Sequence, residues 1–136
     1  MSICYNVNMK NIEKKHATVS EIDYIGSQLS VNHYRAGRTF HIRRDVREWQ
    51  EDLGWAIKSL HLEEWRLPVT VTCSGVFHDR RSCPDLSNLS KVILDALEEV
   101  SGVNDRLFRW RDGTITIDPS VPATLTLVLD EGEVIT

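Results

Sequence analysis

The sequence lacks most of what would point to a membrane, a disulfide scaffold or a zinc site. No apolar run approaches the ~20 residues that a bilayer-spanning helix needs. The opening stretch, MSICYNVNMKNIEKKH, has no continuous apolar segment of the kind a secretory signal requires, so an intracellular protein is expected. Cysteine is scarce: Cys4, Cys73 and Cys83 are the only 3, widely spaced, with no C-x-x-C and no histidine at zinc-ligand spacing. A disulfide framework and a zinc finger are excluded on that ground, and reduced thiols are expected. There is no excess of positive charge either. A net charge of −4 argues against a general nucleic-acid coat. No internal repeat and no low-complexity segment is present.

What is present describes one soluble domain. A chain of 136 residues with 41% hydrophobic and 26% charged content can bury a real core. Its charges are unevenly spread. RAGRTFHIRRDVR, from Arg35 to Arg47, holds five arginines and one acid, whereas LDEGEVIT at the end carries only acids. A basic stripe on an acidic protein can form a local phosphate-binding face, or simply a solvated surface.

Hydrophobic periodicity sets out the elements. TVSEIDYIG, from Thr18 to Gly26, reads as a strand, and a polar loop with a short strand near Thr39 to Ile42 follows. Asp45 is placed to cap a helix over about residues 46–61, in which Val46, Trp49, Leu53, Ile57 and Leu60 recur at helical spacing. Trp49 and Trp55 are expected to serve in packing. VTVTCSGVF alternates Val69, Val71, Cys73 and Phe77 against threonines and Ser74, the mark of a strand. A second helix is predicted from about Leu86 to Val100, with Leu86, Leu89, Ile93, Leu97 and Val100 inward and Ser101–Gly102 as its stop. NDRLFRW leads to a strand, Asp112-Gly113 signals a hairpin, and ATLTLVLD alternates Leu125, Leu127 and Leu129 as a last strand. The order strand, helix, strand, helix, strands predicts an α+β fold, a small mixed sheet with two main helices packed on it. Residues 1–17 are set apart as an N-terminal extension, and 18–136 as a single domain.

The connection between the later strands carries the candidate chemistry. Asp85 opens the second helix, Asp105 lies in the turn after it, and Lys91 stands between them. Two carboxylates and a lysine can hold a divalent cation against a phosphate, with the ammonium stabilising developing charge. The same spacing also suits a plain capped helix, with Asp85 or Ser87 as cap, Asp105 as a turn residue and Asp95 as an ordinary ion-pair partner for Lys91.

The longer string is more specific. PDLSNLSKVILDAL followed by ND resembles the signature of the RusA family of Holliday junction resolvases, and VNHYRAGRTFHIRRDVREWQEDLGWAIKSL and FHDRRSCPD resemble its upstream loop, helix and basic approach, over about residues 18–129. The resemblance implies a mixed α/β homodimer that binds four-way junction DNA and cuts two opposed strands with Mg²⁺, for which Mn²⁺ can substitute. It implies Asp85, Lys91 and Asp105 as catalytic residues, with Asp85 and Asp105 as metal ligands. Asn32, Arg35, Arg38, Arg80, Arg81 and Asn88 are implied as DNA contacts. No small-molecule cofactor and no membrane are expected, and a bacterial or phage-encoded cytoplasmic setting is. Two positions depart from the pattern: Ser87 stands where the family has a second catalytic Asp, and Asn104 where the terminal acidic pair begins. Asp79 or Asp95 could supply a missing ligand, or one metal could be held by Asp85 and Asp105. Otherwise the chain binds junctions and cuts them weakly. A module that binds no nucleic acid is the remaining alternative, favoured by the acidic balance.

Overall fold

Alternation in the strands and a 3.6-residue stripe in the helices dictate which faces can be buried together. The computed structural model describes residues 5–11, 14–30, 35–36 and 41–133. In chain order the elements are β1 (Asn6–Asn11), β2 (Lys15–Asp23), β3 (Arg35–Ala36), β4 (His41–Ile42), α1 (Arg44–Lys58), β5 (Val69–Phe77), α2 (Ser90–Ser101), β6 (Phe108–Ile117) and β7 (Thr124–Asp130). Short 3-10 turns lie at Ser27–Leu29, Leu62–Glu64, Leu86–Leu89 and Asp105–Leu107. Five strands make one mixed sheet in the order β1-β2-β7-β5-β6, and β3 pairs with β4 alone. The fold is α+β, with two main helices.

Within the sheet, β5 and β6 run parallel and the other pairs antiparallel. Parallel neighbours require a crossover, and α2 provides it. Asp85 and Asp105 therefore lie at the two ends of one β–α–β connection. The core forms where the inward strand residues meet the helix stripes. Ala17, Val19 and Ile22, then Val69, Val71 and Cys73, then Leu125, Leu127 and Leu129 are fully buried. The α1 stripe expected from sequence, Val46, Trp49, Leu53, Ile57 and Leu60, is buried throughout. α1 and α2 are tied by the buried Gln50, whose Nε2 donates to the Val92 carbonyl at 2.9 Å. Trp49 Nε1 donates to the Asp23 carbonyl at 2.7 Å, fixing α1 to the end of β2.

Several expectations are corrected. Asp112-Gly113 makes no hairpin: β6 runs through it as one strand, in register with β5 except for a shift between Cys73 and Gly75. A Cβ at Gly113 would lie 2.1 Å from Ser74 Oγ and 2.8 Å from the Cys73 carbonyl, so the glycine permits this close parallel approach. Asp45 is not the helix cap, since Arg43 takes that place and Asp45 lies in the first turn of α1, where its charge suits the helix dipole. Trp55 does not pack inside; it is 69% exposed, with Lys58 Nζ 4.9 Å from its ring centre. The second helix starts later than expected, because residues Leu86–Leu89 wind as a 3-10 turn. The stretch 1–17 supplies β1 and the first residues of β2, so part of it is an edge of the sheet.

Candidate active site

The 3-10 turn before α2 is organised by Asp85. Its carbonyl accepts the Asn88 N–H at 2.9 Å, and its carboxylate oxygen Oδ1 accepts the Ser87 N–H at 3.2 Å and the Ser87 hydroxyl at 2.9 Å. Leu86 and Leu89 point inward and anchor the turn, leaving Asp85 and Ser87 exposed. The turn packs against both α2 and β6.

At the other end, Gly102 adopts the left-handed conformation that stops α2, its N–H donating to the Glu98 carbonyl at 2.8 Å. The chain turns back along the helix. Asp105 N–H donates to Glu98 Oε2 at 2.7 Å, and Asn104 Oδ1 accepts the Arg106 N–H at 2.9 Å. This return brings Asp105 to Lys91: the ammonium lies 3.8 Å from Asp105 Oδ2 and 3.2 Å from Asp95 Oδ1. Lys91 thus bridges two carboxylates, one a turn along its own helix and one from the following segment. Asp95 and Asp105 are partly buried, with side chains 24% and 35% exposed, so the charges interact in less water than a surface pair would.

The expected residues are distributed as follows. Lys91 and Asp105 are in direct ion contact, and Asp85 opens the same crossover. Asn88 is half-buried in the 3-10 turn, and Arg80 and Arg81 are exposed in the loop leading to Asp85. Asn32 and Arg38 lie outside the described residues, and of Arg35 only the backbone is described, in β3. Asp79 is committed to its own loop. The backbone N–H and hydroxyl of Ser82 hold its carboxyl below the usual range, the N–H bonding Oδ1 at 2.8 Å. Sequence reasoning missed Glu98, which fixes the Asp105 backbone through a contact seven residues away that no local spacing signals. It also missed what Ser87 and Asn104 do, which is to bond the two turns that carry the acids.

Asp85 and Asp105 are hard oxygen donors of the kind Mg²⁺ takes, and that ion is commonly held by one or two carboxylates with waters completing its shell. The donor chemistry therefore fits a divalent cation. Among the described residues, Asp85, Asp95 and Asp105 do not form a three-ligand group. The one such group, with ligand atoms within 4.8 Å of one another, is the exposed set His61, Glu63 and Glu64 after α1.

Solved structures similar to the chain include IspF from Plasmodium falciparum in a CDP complex, at 13% identity with a TM-score of 0.33, covering 64% of this chain and 56% of that one. A structure of 2C-methyl-D-erythritol-2,4-cyclodiphosphate synthase is similar at 10% identity and a TM-score of 0.31, covering 69% of this chain and 56% of that one. The chain thus spans little more than half the length of these structures. The fold assignment rests on strand order and register, not on either likeness. No curated protein matches the chain. The family profile described as Endodeoxyribonuclease RusA matches residues 27–113, which takes in α1, β5, the Asp85 turn, α2, Lys91 and Asp105. That match covers well over half of the sequence, and the chain belongs to the RusA family of endodeoxyribonucleases.

Proposed function

We propose that the chain is a Mg²⁺-dependent endonuclease that resolves four-way DNA junctions by symmetric phosphodiester hydrolysis, in recombination and repair, as a cytoplasmic bacterial or phage protein. The observation that supports this most is the contact of Lys91 with Asp105 at 3.8 Å on the crossover that Asp85 opens, inside the family match. In this reading Asp85 and Asp105 hold the cation, with Mn²⁺ able to replace Mg²⁺. A cation bound there supplies neutralisation of phosphate charge and a more acidic water. Lys91 directs its ammonium at the phosphate, where fixed positive charge favours the more highly charged transition state. Asp95 keeps that ammonium in place, and Glu98 holds the backbone that presents Asp105.

DNA is bound through its backbone. Arg80 and Arg81 meet phosphates beside the site and Asn88 lies in the same turn as Asp85; Asn32, Arg35 and Arg38 are assigned to DNA contact by the family resemblance of their stretch of sequence. Such contacts fix position without reading sequence. The working unit is a homodimer, since a two-fold protein offers two sites to two equivalent phosphates. No small-molecule cofactor is called for.

One second reading has a specific observation behind it. Ser87 and Asn104 serve as hydrogen-bonding groups in their turns, so the site keeps two of the expected carboxylates. That favours a protein that binds junctions and cuts them weakly. A synthetic four-way junction with Mg²⁺ separates the readings. Paired nicks, lost in Asp85→Asn and in Asp105→Asn while binding persists, are expected of the nuclease. Tight binding without nicks in either Mg²⁺ or Mn²⁺ would leave the second reading, and no binding at low salt would end both.

A further inference from the structure

Ser87 stands where the family signature has a carboxylate, yet it is not idle. Its hydroxyl and its backbone N–H both donate to the same oxygen of Asp85, Oδ1, at 2.9 and 3.2 Å. Among the described residues Asp85 Oδ2 has no hydrogen-bond or ion-pair partner. A short carboxylate side chain with one oxygen held by two donors has its other oxygen fixed in direction. Because Asp85 is exposed, Oδ2 is presented outward.

The charges around the site point the same way. The Lys91 ammonium lies within 3.8 Å of both Asp95 and Asp105, and Glu98 Oε2 accepts the Asp105 N–H, so carboxylates gather at that end of the crossover. An aspartate at 87 would add another charge two residues from Asp85, and an acid at 104 one more. In their place Ser87 and Asn104 give neutral bonds to the same turns.

We propose that Ser87 is a positioning residue for Asp85, orienting its free oxygen toward a divalent cation. The proposal rests on the reading of Asp85 and Asp105 as cation ligands. Hydrogen-bond partners of metal ligands govern affinity strongly, their loss weakening binding about 10- to 100-fold.

The test is a Mn²⁺ titration of the full chain without DNA, followed by calorimetry and by the electron paramagnetic resonance of free Mn²⁺. Asp85→Asn should remove a single Mn²⁺ equivalent, whatever the exposed His61–Glu63–Glu64 group binds. Ser87→Ala should weaken that equivalent about tenfold with the metal-free unfolding temperature unchanged, and Ser87→Thr, which keeps the hydroxyl, should stay within about twofold of the parent. Should Ser87→Ala fail to fold, Ser87→Cys, with its weak S–H donor, takes its place with the same expectation. Equal affinity in the parent and Ser87→Ala would overturn the positioning role. Loss of no Mn²⁺ equivalent in Asp85→Asn would overturn the ligand reading itself, so the two claims fail separately.

Discussion

Glu131, at the end of β7, offers the sharpest test of how the sheet is closed. It is 6% exposed and clips two distant segments together. Its Oε2 accepts the Lys15 N–H at 2.5 Å and faces the Arg66 guanidinium at 3.2 Å, while Oε1 accepts the Arg66 N–H at 2.9 Å. Glu131→Gln keeps the shape but replaces one oxygen by an NH₂ group. One backbone N–H then faces a donor, which costs about 1–3 kcal/mol, and the remaining bonds lose their charge assistance. A total near 3 kcal/mol follows. For a domain of this size, with an unfolding entropy of about 2.1 cal/mol/K per residue, that lowers the melting temperature by about 10 °C. Urea unfolding should show a lower midpoint at unchanged slope.

The pH dependence has a definite sign. Burial pushes the Glu131 carboxyl up, but the backbone N–H groups of Arg66 and Lys15 and the two cations outweigh it, leaving the group below its ordinary value of 4.5. A carboxyl lowered in the folded state stabilises above its unfolded pKa, and that contribution is lost as pH falls through the folded value. The gap between parent and variant should therefore be full at neutral pH and shrink below about pH 4.5. A melting temperature within 2 °C of the parent at pH 7 would refute the clip.

Other perturbations probe the site and the sheet. Lys91→Met should lower the single-turnover cleavage rate about 100-fold while leaving the junction dissociation constant within about twofold, as for loss of one electrostatic stabiliser. Arg80→Ala combined with Arg81→Ala should weaken junction binding on every sequence tested. It should also flatten the slope of log affinity against log salt by roughly 1–2, measured by fluorescence anisotropy. Gly113→Ala should destabilise by about 2 kcal/mol in urea melts, because its Cβ would meet Ser74 Oγ and the Cys73 carbonyl; unchanged stability would mean the β5–β6 register is wrong.

Much of this was legible in the residues, and the reasons differ by element. The α1 stripe from Val46 to Leu60 and the alternation of β5 and β7 could be read because one buried face imposes its period on the sequence. Asp112-Gly113 could not, since the turn signal is local while the parallel pairing with β5 is a long-range contact that overrides it. β1 was equally hidden: NVNMKN has little apolar alternation, and its strand state comes from pairing with β2. Trp55 misled because an aromatic near a helical stripe reads as core, and only packing shows that it faces out. In the site, the identities of Asp85, Lys91 and Asp105 came from the signature. The approach of Lys91 to Asp105 depends on where Gly102 stops α2 and on how Glu98 catches the returning chain, neither of which spacing reveals.

The central claim is that Asp85 and Asp105 share a divalent ion with the Lys91 ammonium alongside. The anomalous signal of a Mn²⁺-soaked crystal measures this directly. A peak within coordination distance of an oxygen from each of Asp85 and Asp105 is the expected result. Manganese found only at His61, Glu63 and Glu64, with the Asp85 and Asp105 carboxylates bare, would contradict it.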